Sequence, residues 1–251
     1  MPIIEGLRKK LVEKARERVR EKFSDPLAHI ARAVNALDEL DRVFNQVSEQ
    51  VIEWYAIHFP ELSRIVNDNE KFLELVVSIG ERKGFQKNAV EKVLHGDEKS
   101  ELIESRAVSS MGSGIPAEAL AEIQGISKTA LLLRQQRKSL VAFIESHVIK
   151  HCAHFSSACP PLLAARLINE AGSLEKLAFI PSSAIQVLGA KKALFRHMRS
   201  GARSPKHGLI FQHPLVQSAQ QKQRGKAARK LAGKISIAVK QDYFGESSQQ
   251  A

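Results

Sequence analysis

The stretch HVIKHCAHFSSAC, residues 147 to 159, holds three histidines and both cysteines of the chain. His147, His151 and His154 stand at i, i+4 and i+7, a spacing that puts imidazoles on one face of a helix. Such a set, with Cys152 and Cys159 beside it, has the ligand chemistry for zinc or nickel. No second segment offers ordinary metal-ligand spacing, however, and His147 and His151 also continue an apolar helical seam. We read them as seam residues and expect no bound metal and no cofactor. Other catalytic signatures are equally thin. There is no P-loop glycine pattern, no GxGxxG after a strand and no HExxH. From Arg166 to Glu246 there are only 4 acids, which leaves little for paired-carboxylate catalysis. The sequence points away from an enzyme.

A different chemistry is concentrated in that same third. The whole chain carries a net charge of +11, and residues 166 to 246 contain 15 Lys/Arg against their 4 Asp/Glu, so the entire excess lies there. Within it, GAKKALFRHMRSGARSPKHG carries Lys191, Lys192, Arg196, Arg199, Arg203 and Lys206 without one acid. Read as a continuous helix, Lys192, Arg196, Arg199 and Arg203 fall on an arc of roughly 60°. Val187, Leu194 and Met198 fall opposite, as a core face would. Ser204-Pro205-Lys206-His207-Gly208 makes a turn that presents Lys206 and His207 beside the ridge. A second basic helix is expected in QQKQRGKAARKLAGK, where Gly225 and Gly233 suggest close backbone approach. Two adjacent acid-poor segments in the one region of surplus charge point to nucleic acid. Neither helix-turn-helix nor zinc-finger spacing is visible, and no aromatic stacking platform; backbone and shape recognition fit better than base readout.

The elements that must carry these residues read as helices throughout. The expected fold is all-α: a long helical hairpin or coiled-coil rod followed by a compact helical domain. Residues 1–24, eight cations and four acids over 3–23, form a connector helix with a solvated face. Ser24-Asp25-Pro26 is a helix start. Ile30, Leu37, Phe44, Val51 and His58 then hold one heptad position, and Ala33, Leu40, Val47 and Trp54 the other. Pro60 ends that helix. A cap at Asn67 or Asp68 starts a shorter one running to about Gly80 or Gly84. Gly112-Ser113-Gly114 is read as the tip of the hairpin. Ile123, Ile126, Ala130, Leu133, Leu140, Ile144, His147 and His151 form the returning seam, interrupted only by Arg137. The rod is placed at 25–158, the basic domain at 159–246, and a disordered tail at 247–251. An apolar seam of that length also predicts a homodimer. Two cysteines suit a reducing compartment and no membrane span is expected, so a cytoplasmic-type protein is read.

Several linked motifs go further. EWYAIHFPEL (Glu53–Leu62), AGSLEKLAFIPSSAIQVLGAKKALFR (Ala171–Arg196), SPKHGLIFQHP and RGKAARKLAGKISIAVKQDYFGE resemble the Nop-domain family, the group of nucleolar proteins Nop fifty-six and Nop fifty-eight and their archaeal counterparts. The likeness runs in order from about Arg18 to Glu246. It implies an RNA-binding scaffold of box C/D small ribonucleoproteins, dimeric through the rod. The partners implied are a kink-turn RNA, a small ribosomal-protein-like protein bound to it, and fibrillarin, which carries out guided 2′-O-methylation. It implies cytoplasmic location in an archaeon and nucleolar location in a eukaryote. By the resemblance, Ile185, Gln186, Gly189 and Ala190 open the helix facing RNA and partner protein. Lys192, Arg196 and Arg199 approach phosphates, the turn at Lys206 and His207 completes that surface, and Arg224, Lys226 and Arg229 flank it.

Two departures accompany the likeness. Lys191 stands where family members usually carry an acid, which either strengthens RNA contact or removes a pairing partner. The chain also starts in what resembles the connector leading out of the fibrillarin-binding N-terminal domain. The resemblance therefore does not carry fibrillarin over. An excised fragment and a shorter paralogue serving a ribonucleoprotein without fibrillarin are both consistent with it, as the family's spliceosomal relative illustrates. From another class, a coiled-coil interaction protein with a basic end is the remaining alternative.

Overall fold

The structure is a computed structural model that describes residues 2–24, 26–95 and 99–247. Among them there are helices and no strand, in keeping with the all-α expectation. The helices are α1 (Pro2–Ser24), α2 (Pro26–Tyr55), α3 (Leu62–Ile65), α4 (Asn69–Ser78), α5 (Lys87–Leu94), α6 (Ser100–Val108) and α7 (Ala117–His151). There follow α8 (Ala153–Ala158), α9 (Pro161–Ala171), α10 (Leu174–Phe179), α11 (Ser182–Val187), α12 (Lys191–Ser200), α13 (Pro214–Gln217) and α14 (Arg224–Ser247). Pro26 opens α2 as read, while Asp25 of that cap lies outside the described residues. So does the expected tail at 247–251, apart from Ser247 at the end of α14. Among the described residues no helix is long and apolar enough to cross a membrane.

The chain divides into two compact units. One is Leu37–Ser139, with a core of Phe44, Val51, Tyr55, Phe59, Phe72, Phe85, Ile103 and Ile123 among others. One heptad position is buried as expected: Leu37, Phe44 and Val51 of α2, with His58 in the turn after it, within this unit, and Ile30 of α2 in the other. The second position differs. Ala33 is buried as expected, but beyond it Val34, Ser48 and Tyr55 are the buried residues, whereas Leu40 and Val47 are half-buried and Trp54 is 41% exposed. A straight helix drifts about 20° per heptad against a 3.5-residue repeat, which moves the inner edge by one residue. Tyr55 gains from the shift: its hydroxyl donates to the Gly80 carbonyl at 2.5 Å.

Asp68 caps α4 as read, its Oδ1 accepting from the Glu70 and Lys71 amides at 2.8 and 3.3 Å. Gly112 is not the tip of a hairpin. Helices α3 to α6 fill that place, and residues 109 to 116 run back against the end of α2. A Cβ on Gly112 would lie 1.9 Å from the His58 carbonyl oxygen, so only glycine permits this approach. His58 Nε2 accepts from the Arg82 amide at 2.9 Å, so Nδ1 carries the proton and donates to the Ser113 carbonyl at 2.8 Å. Arg137, the interruption of the second seam, pairs with Asp41 of α2. Arg134 bridges Asp41 and Glu70, and Lys138 reaches Glu70 at 2.6 Å.

The other unit is Met1–Ala36 with Leu140–Ala251. Residues 140 to 158 thus belong with the C-terminal helices, and the compact units do not divide at 159 as read. The physical reason is α14, around which α8, α10 and α11 pack. Its Ala228, Leu231, Ala232, Ile235, Ala238 and Val239 are buried at helical spacing, and α9 adds Leu163, Ala164, Leu167 and Ile168 to the core. Asp242, on the same face of α14, is 6% exposed and caps α8 from outside. It accepts from the His154 and Phe155 amides at 3.0 and 2.7 Å. Two of the four free amides at that helix start are satisfied in this way.

Candidate nucleic-acid interface

The basic segment is not one helix. α11 ends at Val187, Gly189 takes φ +84°, and α12 restarts at Lys191. A Cβ on Gly189 would sit 2.6 Å from Leu209 Cγ, so the left-handed turn and the packing both require glycine. α12 ends at Ser200 with Gly201 left-handed at φ +64°. The His197 ring bonds to the Ala202 carbonyl just beyond it. The continuous arc read through to Arg203 therefore breaks. Lys192, Arg196 and Arg199 share about 60° of α12, all exposed, while Arg203 is exposed beyond it.

The predicted core face of this helix is overturned. No residue of α12 is buried. Leu194 is 40% exposed, Phe195 71% and Met198 74%. Val187 lies on α11, across the break. Phe195 adjoins the cationic arc at Arg199, Leu194 and Met198 continue the apolar arc away from it, and all three face outward.

The Lys206–His207 turn is fastened to α11 by backbone. The Gly208 amide donates to the Gln186 carbonyl at 2.9 Å, the Leu209 amide to the Leu188 carbonyl at 2.8 Å, and Gln186 Nε2 to the Lys206 carbonyl at 2.7 Å. The His207 ring stacks on Phe211 with centroids 4.7 Å apart and planes 17° apart. Arg224 lies over the same Phe211 ring at 5.3 Å, and its Nε donates to the Ala219 carbonyl. Burial, then the nearby Arg224 and Lys206 charges, pulls the His207 pKa below its ordinary value, so this imidazole is neutral at pH 7. Lys206 is exposed, its stem in van der Waals contact with the space beside Gly225. A Cβ on Gly233 would meet no described residue within 4 Å, so no neighbouring helix approaches it closely.

The remaining residues of the expected surface separate. Ile185 is fully buried and supports the site from within. Gln186 and Ala190 are half-buried, and Gly189 is exposed. Lys191 is tied to Glu170 at 2.8 Å, so this cation already has a carboxylate partner. Lys226 and Arg229 are exposed on α14.

The histidine cluster is split: His147 and His151 stay neighbours on α7, with ring centroids 6.3 Å apart, and His154 leaves their face. α7 stops at His151, and His154 turns to Asp242 Oδ1 at 2.7 Å. His147 packs on Phe143 and bonds to its carbonyl at 2.9 Å. Cys152 and Cys159 are buried, and burial pushes the Cys159 thiol up to about 12. Among the described residues no group of three or more His, Cys, Asp or Glu is placed to hold a metal. The missed residue was Asp242, an acid among the apolar positions of a basic helix, which was the available signal.

Comparison with known proteins places this geometry in context. The chain is 40% identical over 217 residues to an uncharacterized NOP5 family protein of Methanocaldococcus jannaschii, covering 86% of this chain and 52% of that one. It is 38% identical over 220 residues to human nucleolar protein 56, covering 86% and 37%. It is 35% identical over 222 residues to nucleolar protein 58 of Aspergillus oryzae, covering 88% and 38%. The chain thus spans about two fifths to half the length of these relatives. A crystal structure of a fibrillarin/Nop5p complex shares the fold, with a TM-score of 0.52 at 24% identity over 95% of this chain and 69% of that one. Residues 36–251 match the Nop family, described as "snoRNA binding domain, fibrillarin". With most of its length inside that match, the chain belongs to the Nop family.

Proposed function

We propose that the chain is a non-enzymatic RNA-binding scaffold of a box C/D-type small ribonucleoprotein. Its α12 surface recognises a kink-turn RNA together with the small ribosomal-protein-like protein bound to it, in support of guided 2′-O-methylation by fibrillarin. One observation carries this reading. A ten-residue helix that buries none of its own side chains carries three cations on one arc and Phe195, Met198 and Leu194 on the arc that follows it. Cations alone would suit a nucleic acid, and an uncovered apolar arc alone would suit a protein. Adjacent arcs of both kinds fit a joint surface of phosphate and protein. Family membership and the relatives named nucleolar proteins support the ribonucleoprotein setting.

Self-association through the long helices belongs to the same proposal. The α2 seam is covered from within the chain, so a second copy would meet Trp54, Ile57 and Leu132, exposed at 41%, 64% and 63%.

The test is Arg196→Ala, with binding measured to a kink-turn RNA alone and to the RNA preassembled with its ribosomal-protein-like partner. Losing one charged hydrogen bond should weaken binding by about 1–3 kcal/mol. Stability should change by no more than about 0.5 kcal/mol, as for an exposed residue. Phe195→Ser should weaken only the preassembled complex. Equal affinity of both variants and wild type in both formats overturns the reading.

A further inference from the structure

α14 has a second face. Lys226, Arg229, Lys230, Lys234, Ile237, Lys240 and Phe244 are all exposed, and at about 100° per residue they share an arc of roughly 140°. Asp242 is on the buried side, so the stripe contains no acid among its described residues. None of its five cations forms an ion pair with a described residue. From Lys226 to Phe244 the stripe is about 27 Å long.

The far end of the stripe is aromatic. Phe244 is 47% exposed and Phe179, from the end of α10, is 67% exposed. Their rings lie 5.9 Å apart at 87°, and Tyr243 stands edge-on to both, at 5.0 Å from Phe244 and 6.0 Å from Phe179. Lys240 precedes Phe244 by one helical turn, and Lys176 precedes Phe179 by one turn; both lysines are exposed. Both aromatic residues are thus partly exposed at the end of a row of cations. An apolar protein surface would gain nothing from the lysines. An acidic peptide would gain nothing from the rings. A nucleotide strand uses both, phosphates on the cations and a base face on an aromatic ring.

We infer that the outer face of α14 is a track for single-stranded RNA, ending in a base-stacking site made by Phe179 and Phe244. At about 3.4 Å per nucleotide of stacked strand, 27 Å accommodates roughly eight nucleotides. This rests on the RNA-scaffold reading but uses residues apart from α12. It gives the protein a hold on unpaired RNA beyond a kink-turn, tolerant of sequence because every base has a π-face.

The experiment uses the full chain and two labelled probes, a 12-nucleotide oligoadenylate and an abasic oligomer of the same length and charge. Wild type should bind the oligoadenylate more tightly than the abasic strand, by about five- to 150-fold for one stacked base. Phe179→Ala with Phe244→Ala should bind both strands equally, at the wild-type abasic affinity. Lys230→Glu with Lys234→Glu should weaken both and flatten the salt dependence. Arg196→Ala should leave the ratio of oligoadenylate to abasic affinity at its wild-type value whatever it does to both affinities through charge, which separates failure of the track from failure of the α12 surface. Equal wild-type affinity for the two strands removes the stacking site without relying on any variant's folding. Unchanged binding by the Lys230→Glu/Lys234→Glu protein removes the track. Oligoglutamate of equal charge binding as tightly as oligoadenylate would make the stripe a general acidic-partner surface and overturn the assignment.

Discussion

Gly208→Ala tests whether the Lys206–His207 turn is fixed by backbone rather than resting on the surface. An added Cβ would stand 1.9 Å from the Leu188 carbonyl oxygen and 2.7 Å from the carbonyl carbons of Leu188 and Val187. All three contacts are backbone, so no side chain can rotate away, and the turn or the end of α11 must move by about 1.5 Å to reach ordinary contact. That separation breaks or stretches the bonds from the Gly208 amide to Gln186, from the Leu209 amide to Leu188 and from Gln186 Nε2 to Lys206. At about 1 kcal/mol net for each hydrogen bond, the loss should be roughly 2–4 kcal/mol. Against a total stability of about 5–15 kcal/mol, this is a large displacement of a urea midpoint. Gly201→Ala is the control. It has a left-handed φ of +64° but nothing within 4 Å of an added Cβ, so it should cost only about 1–2 kcal/mol of backbone strain. Urea unfolding followed by far-UV circular dichroism measures both. A Gly208→Ala protein within about 0.5 kcal/mol of wild type would refute the reasoning, since the contact would then be relieved without breaking the turn.

Three further outcomes follow from other parts of the molecule. Asp242→Ala should cost about 2–4 kcal/mol in the same urea assay, because a buried carboxylate that accepts two α8 amides and the His154 ring is lost at once. Bonds and charges from Lys138, then Arg134, hold the Glu70 carboxyl below its ordinary 4.5; its contribution is therefore full above that pH and lost as pH falls through the lower folded value. Glu70→Gln should flatten that acid limb of the stability curve, measured by thermal melts across pH. Light scattering at micromolar concentration should give a dimer, reduced to monomer by charged substitution at Trp54 and Leu132 if those exposed residues form the contact.

Much of this protein was legible before its fold. The helical make-up of the described residues, the buried heptad position from Ile30 to His58, the Asp68 cap and the basic C-terminal third follow from local period, capping chemistry and charge, all of which act within a few residues. Linked motifs likewise identified the family. Tertiary structure decided what local period cannot. The second face of α2 shifted by one residue because a straight helix drifts against a heptad and Tyr55 has a distant carbonyl to meet. The basic segment broke at Gly189 because Leu209 occupies the space beside it. Leu194 and Met198 follow a core pattern, yet no element covers them; an amphipathic period reports that a face is apolar, not that anything packs against it. The exposed pair Phe179 and Phe244 was invisible to any window of sequence. Their meeting depends on α10 packing against α14, and only long-range packing brings together rings that stand so far apart along the chain.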